Sequence, residues 1–256
     1  MGRVVFVGAG PGSADLITLR GLRHLARADV VLFDALTDPT LRDFAPGAEW
    51  IDVGKRGFCD ATGQEAINAL LVRQAALHRC VVRLKGGDPS IFGRLEEELQ
   101  ALAEAGVPCE VVPGITAATA AAADTQRPLT RRGAGRSVTL ATAMTRDGRL
   151  KVGGPRADTE VYYMAGRQLA ALGRRLQAAG WPADTPVCVV SRAGWPDSLS
   201  SEHTMQGLAG AACLHAGRPT VATVGAGARA ATPATAHVKA QSAASGSPSR
   251  LPALTT

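Results

Sequence analysis

The sequence predicts an α/β fold built on a mostly parallel sheet, and three observations carry that expectation. Short apolar runs rich in Val, Leu and Phe alternate with stretches of helical periodicity through the first half of the chain. The connections between them are short and punctuated by Gly and Pro. With 46% hydrophobic and 20% charged residues over 256 positions, the chain can bury a substantial core, which excludes disorder of the whole chain.

Taken in order, Val4–Val7 reads as an apolar strand, followed by glycine-rich punctuation and a helix over Leu16–Ala28. Val30–Phe33 and Trp50–Val53 are the next strands. A helix over Gln64–His78 follows, with Ile67, Leu70, Leu71 and Ala75 on one face. Cys80–Leu84 is a strand, Arg94–Ala105 a helix ended by Gly106 and Pro108, and Cys109–Val112 a further strand. Pro113-Gly114 marks a domain boundary, so the expected units are residues 1–113 and 114–231. Past the boundary come an Ala-rich helix over Ile115–Ala123 and strands over Ser137–Thr142, Glu160–Met164, Pro186–Ser191 and Thr220–Val224. A helix over Leu169–Ala179 carries Leu169, Leu172 and Leu176 at helical spacing. From about Thr232 the chain turns to Ala, Ser, Pro and Thr without periodicity, and 232–256 reads as a disordered tail.

The formal charge of +6 is unevenly spread. Residues 127–156 hold seven Arg and one Lys against the single acid Asp147, so the chain outside this segment and the tail is mildly acidic. A local excess of this kind points to a specific anionic partner, and arginine's planar fork suits carboxylates and phosphates. Aromatic residues, at 4%, are too few for a nucleic-acid surface built on stacking. Cys59, Cys80, Cys109, Cys188 and Cys213 show no CxxC spacing, which predicts neither a disulfide framework nor a metal site. With no apolar run of membrane-spanning length and no signal pattern, the expected setting is the cytoplasm, without membrane or nucleic-acid partners.

The loop Gly8-Ala9-Gly10-Pro11-Gly12 follows a strand and precedes a helix, as the pyrophosphate cradle of a dinucleotide-binding fold does. Asp34, ending the second strand, stands where an acid that binds ribose is expected. Against this, Ser13 occupies the third fingerprint position, and Pro11 removes a backbone N–H from the loop. An oxidoreductase reading stays open on these residues alone.

Four segments read together narrow it. Val7–Asp15 (VGAGPGSAD), Val53–Arg56 (VGKR), Arg83–Gly93 (RLKGGDPSIFG) and Val111–Ala118 (VVPGITAA), followed by Pro128–Thr130, resemble the tetrapyrrole methylase superfamily. Within it the likeness is to the uroporphyrinogen-III C-methyltransferases, and it extends over about Arg3 to Gly225. It implies two α/β domains with a cleft between them for S-adenosylmethionine, which leaves as S-adenosylhomocysteine. It also implies methylation of a tetrapyrrole at carbons 2 and 7, no metal, and a homodimer. A relative acting on a later corrinoid precursor would share the fold and cofactor.

By this resemblance Pro11, Gly86, Gly87, Asp88, Ile91, Thr116, Ala117, Met164 and Ala193 are the cofactor positions. Asp34 is the proton acceptor and Lys55 the proton donor. The substrate carries eight carboxylates, which suggests Arg127, Arg131, Arg132 and Arg136 as the residues that hold its arms. Ala35, Ser90 and Leu95 depart from the family pattern.

Overall fold

A computed structural model describes residues 2–54, 63–144 and 157–231. Two five-stranded sheets divide the chain between them. The first contains β1 (Arg3–Gly8), β2 (Val30–Phe33), β3 (Glu49–Asp52), β4 (Cys80–Lys85) and β5 (Cys109–Val112), in the order β3-β2-β4-β1-β5. Every pairing in it is parallel. The crossovers carry α1 (Leu19–Leu25), α2 (Gln64–Leu77) and α3 (Leu95–Glu104).

A parallel strand covered on both faces sends alternate side chains to two separate cores. Val4 and Phe6 of β1 pack with Ile67, Leu71 and Ala75 of α2 and Leu102 of α3. Val5 and Val7 pack on the opposite face with Leu25 of α1 and Leu41. The first helix is shorter than its apolar pattern suggests. A 3-10 turn over Ala14–Leu16 precedes it, and Thr18 then caps α1 by accepting the Gly21 amide at 3.1 Å.

After β5, α4 (Ala117–Asp124) leads into the second sheet. This contains β6 (Val138–Thr142), β7 (Thr159–Tyr163), β8 (Pro186–Ser191), β9 (Leu199–Thr204) and β10 (Thr220–Gly225), ordered β6-β7-β10-β8-β9. Only the β6–β7 pairing is parallel, so this sheet is mixed. Its Val187, Val189 and Val224 face Leu169, Leu172 and Leu176 of α5 (Leu169–Ala178). Val161, Val190 and Val221 face Ala118, Ala120 and Ala121 of α4. The short α6 (Ala211–Leu214) precedes β10.

The strand β9 was not expected from the sequence. It is an edge strand, LSSEHT, that alternates half-buried with exposed residues and lacks Val, Ile and aromatics. No described helix is long and apolar enough to cross a membrane. The predicted tail, 232–256, lies outside the described residues.

Candidate active site

The carboxyl ends of the parallel strands, where ligands of open α/β sheets bind, meet the second sheet around a cavity of about 280 Å³. From the first sheet come Pro11 after β1, Asp34 after β2, and Gly86–Asp88 after β4. Thr116 and Ala117 open α4 on its floor, and Met164 and Ala193 enter from the ends of β7 and β8. All nine positions expected to hold a cofactor therefore line one cavity together with Asp34, although Pro11 and Ala193 stand 182 positions apart in the sequence.

Backbone contacts fix the shape of this wall. Gly10 and Gly87 exchange hydrogen bonds (3.2 and 2.9 Å), clamping the opening loop onto the GGDP turn. Ala9 donates to Lys85 O at 2.8 Å and Ser13 to Gly194 O at 3.0 Å. These bonds decide the dinucleotide reading. The amides of Ala9, Gly10 and Ser13 already serve protein carbonyls and Pro11 has none, so the loop has given up most of the donors a pyrophosphate cradle needs. Asp34 likewise meets Arg83, through Oδ1 at 2.6 Å.

Asp88 uses both carboxylate oxygens on backbone amides, Ser90 N at Oδ1 and Gly114 N at Oδ2, each 2.8 Å away. It thereby ties the GGDP turn to the Pro113-Gly114 turn. Ser90, one of the departures from the family pattern, serves here through its amide, and Leu95 opens α3 against the core beneath. Gly87 has φ +74, and a Cβ there would find nothing nearer than Ile115 O at 3.9 Å. Glycine at this position leaves the cavity side of the turn open.

Some of the wall was not expected. Phe92 and Tyr163 form a tilted aromatic pair with centroids 5.0 Å apart, and Arg192 lies over Trp195 at 4.3 Å; all four line the cavity. Each lies within two residues of an expected position, but a lone aromatic residue carries no mark of the side it faces. Burial pushes the Tyr163 phenol up from its ordinary value, against the opposing hydrogen bond of Thr116. Phe92, Met164 and Arg192 adopt left-handed backbone (φ 53°, 56° and 53°). Three such non-glycine residues around one cavity are strain of the kind that collects at binding sites.

The expected arginines are placed elsewhere. None of Arg127, Arg131, Arg132 and Arg136 lines the cavity. Arg127 is buried, donating to Ala228 O at 2.9 Å and pairing with Glu202. Arg131 donates to Ala226 O at 2.8 Å and to Arg229 O. The forks that suit carboxylates here staple the basic segment to the loop after β10, which corrects the expectation for these two. Arg132 and Arg136 are exposed. Lys55 lies outside the described residues. No cluster of metal ligands occurs among the described residues.

The model of the tetrapyrrole (corrin/porphyrin) methylases matches residues 3–209. The uroporphyrinogen-III C-methyltransferase of Pseudomonas aeruginosa is 45% identical over 195 residues, covering 75% of this chain and 80% of that protein. Siroheme synthase 2 of Serratia proteamaculans is 49% identical over 193 residues, 74% of this chain but 41% of that protein. The chain thus spans less than half the length of that synthase. The uroporphyrin-III C-methyltransferase of Thermus thermophilus, solved with S-adenosylhomocysteine, superposes with a TM-score of 0.75 at 36% identity, over 88% of this chain and 97% of that one.

Proposed function

The chain belongs to the tetrapyrrole methylase family, and on that premise we propose that it methylates uroporphyrinogen III at carbons 2 and 7 in turn, giving precorrin-2 for siroheme or cobalamin synthesis. The observation that carries this reading is the convergence of Asp34 and the nine expected cofactor positions on one cavity.

The residues present fit S-adenosylmethionine. An open glycine turn at Gly86-Gly87, the start of α4 at Thr116 and Ala117, and the apolar wall of Ile91, Phe92 and Met164 suit a compact zwitterion with an apolar body. When bound, that cofactor supplies a methyl group activated by its sulfonium. The backbone of Gly86–Asp88, Thr116 and Ala117 would hold it, with Pro11, Met164 and Ala193 closing the cleft.

Such a wall orients a pyrrole carbon toward the methyl, and positioning of this kind is worth about 7–11 kcal/mol. Each transfer leaves a proton to be removed from the macrocycle. Asp34 stands at the cavity edge to take it, its Oδ1 fixed by Arg83. Lys55 is the proposed donor. Of the four arginines, Arg132 and Arg136 keep exposed side chains, and these we assign to the substrate's carboxylate arms.

We also propose a homodimer working in the cytoplasm. The edge strand β6 exposes Val138 and Leu140 (36% and 37%), an apolar edge suited to pairing, and the free thiols of Cys80, Cys109, Cys188 and Cys213 suit a reducing compartment. A monomer mass in sedimentation would remove the dimer.

The deciding experiment for the activity supplies uroporphyrinogen III and isotopically labelled S-adenosylmethionine and counts labels per macrocycle by mass spectrometry. Two labels are expected. A protein that binds S-adenosylhomocysteine yet transfers no label would overturn the reading.

A further inference from the structure

Behind Asp34 four charges alternate in sign as they run into the protein. Asp34 Oδ1 meets Arg83 at 2.6 Å, Arg83 Nε meets Glu98 Oε1 at 3.0 Å, and Glu98 Oε2 meets Lys85 Nζ at 2.7 Å. Arg83 and Lys85, two apart on β4, point to the same face, where Glu98 of α3 comes down between them. Arg83 and Lys85 side chains are 3% exposed and Glu98 is fully buried, whereas the Asp34 side chain is 31% exposed. Only Asp34 of the four lines the cavity.

Burying three charges is costly, and apolar residues of similar volume often stabilise a core equally well. The geometry points to another use. Arg83 cannot swing, because its NH1 also donates to Leu32 O (3.4 Å) and Leu84 O (3.2 Å). It presents one N–H to Asp34 Oδ1, which leaves proton exchange to Oδ2. How much positive charge Asp34 feels then depends on how far Glu98 neutralises Arg83, and that depends on how far Lys85 occupies Glu98. Gln64 of α2 adds a 3.4 Å hydrogen bond to Glu98 Oε1.

We infer that Glu98 and Lys85 are positioning residues that set the basicity of Asp34 through Arg83. The inference rests on the proposed role of Asp34 as proton acceptor. Among the described residues, Asp52, ending the neighbouring β3, accepts the Gly54 amide, and Asp88 across the cavity accepts two amides. The Lys85 ammonium is destabilised by burial and by Arg83 and held by Glu98, as a chain balanced on Glu98 requires.

Two variants with opposite expected signs test this. Glu98→Gln takes the partner from Lys85 and leaves Arg83 opposed by Asp34 alone, so Asp34 becomes a weaker base and the acid limb of kcat/KM moves down by roughly one pH unit. Lys85→Met keeps the side-chain length and turns Glu98 wholly onto Arg83, so the limb moves up. Affinity for S-adenosylhomocysteine, read by calorimetry, should stay within about twofold in both, since neither residue lines the cavity. Loss of activity with no displaced limb, or with both limbs displaced the same way, would reduce the chain to packing. Should Glu98→Gln fail to fold, the direction seen with Lys85→Met decides alone. A 13C titration of the Asp34 carboxyl in the same proteins needs no turnover. It separates failure of the inference, an unmoved carboxyl in an active enzyme, from failure of the functional reading, a displaced carboxyl in a protein that methylates nothing.

Discussion

The hydroxyls of Thr116 and Tyr163 lie 2.7 Å apart and join the start of α4 to the end of β7. Both residues line the cavity, so the bond fixes one corner of it. Thr116 is the N-cap of α4 by position, yet its side chain makes no capping bond. The hydroxyl has been diverted from the helix end to Tyr163. Tyr163→Phe keeps the ring against Phe92 and removes the hydroxyl, with its bond to Thr116 and its contact with the Ala118 amide. It should cost about 1 kcal/mol of stability and weaken S-adenosylhomocysteine binding several-fold, measured by denaturant unfolding and calorimetry. Unchanged affinity would show that this corner does not touch the ligand.

The opening loop also depends on Gly194. This residue has φ +78, and a Cβ there would stand 2.0 Å from Pro11 O, closer than any side chain tolerates. Gly194→Ala must therefore push the loop after β8 away from Pro11 and strain the Ser13-to-Gly194 hydrogen bond that spans the cavity wall. It should destabilise the protein by more than about 1 kcal/mol and abolish cofactor binding at micromolar concentrations. Gly47→Ala, where nothing lies within 4 Å, is the control and should change stability by less than about 0.5 kcal/mol. Equal behaviour of the two variants would refute the close approach.

What the sequence revealed follows the range of the forces involved. Largely buried strands such as Val30–Phe33 and Pro186–Ser191 were legible to the residue, because burial on both faces writes itself as a nearly continuous apolar run. The edge strand Leu199–Thr204 was not, since half of its residues face water and its pairing to β8 supplies the order that its composition lacks. The motif residues of the cavity could be named because they cluster in short segments. Arg127 could not be read correctly from charge alone: its acceptor, Ala228 O, lies 101 positions away, and a count of arginines cannot separate a fork that awaits a ligand from one already filled. The buried Glu98 went unnoticed among the acids of its helix for the same reason.

The proposed role of Asp34 as proton acceptor predicts that its loss separates catalysis from binding. Its carboxylate reaches the cavity edge while its backbone closes a turn, accepting the Thr37 amide and hydroxyl at 3.2 and 2.8 Å. Asp34→Asn preserves that turn and the shape of the side chain but cannot take up a proton. Turnover should fall roughly 100- to 10,000-fold, with affinity for S-adenosylhomocysteine changed less than about threefold. Asp34→Ala should likewise lower turnover far more than affinity. Equal losses of both in rapid-quench and calorimetric measurements would make Asp34 a structural residue.

Behind the second half of the cavity wall, His215 is fully buried between two serines. Ser191 Oγ stands 2.9 Å from its Nδ1 and Ser201 Oγ 2.8 Å from its Nε2. Ser191 Oγ accepts from Arg218 Nε at 3.1 Å, and Ser201 lies 2.7 Å from His203 Nε2. The arrangement in which each hydroxyl both accepts and donates runs from Arg218 through Ser191 to Nδ1, and from Nε2–H through Ser201 to His203. It makes His215 a neutral Nε2–H tautomer, which 15N chemical shifts can read. Burial first, then His203 and Arg218, hold its proton affinity below the ordinary histidine value. The sign of the stability effect follows. Once pH falls below about 6.5 the unfolded chain protonates this histidine while the native state still refuses the proton, so stability drops with pH across that window and levels off below the depressed native value. His215→Gln, which keeps hydrogen-bonding capacity without the titration, should be less stable at pH 7.5 but lose less between pH 7.5 and 5.5 in denaturant unfolding. An equal loss over that interval in both proteins would show that His215 is not the group whose protonation loosens this half of the molecule.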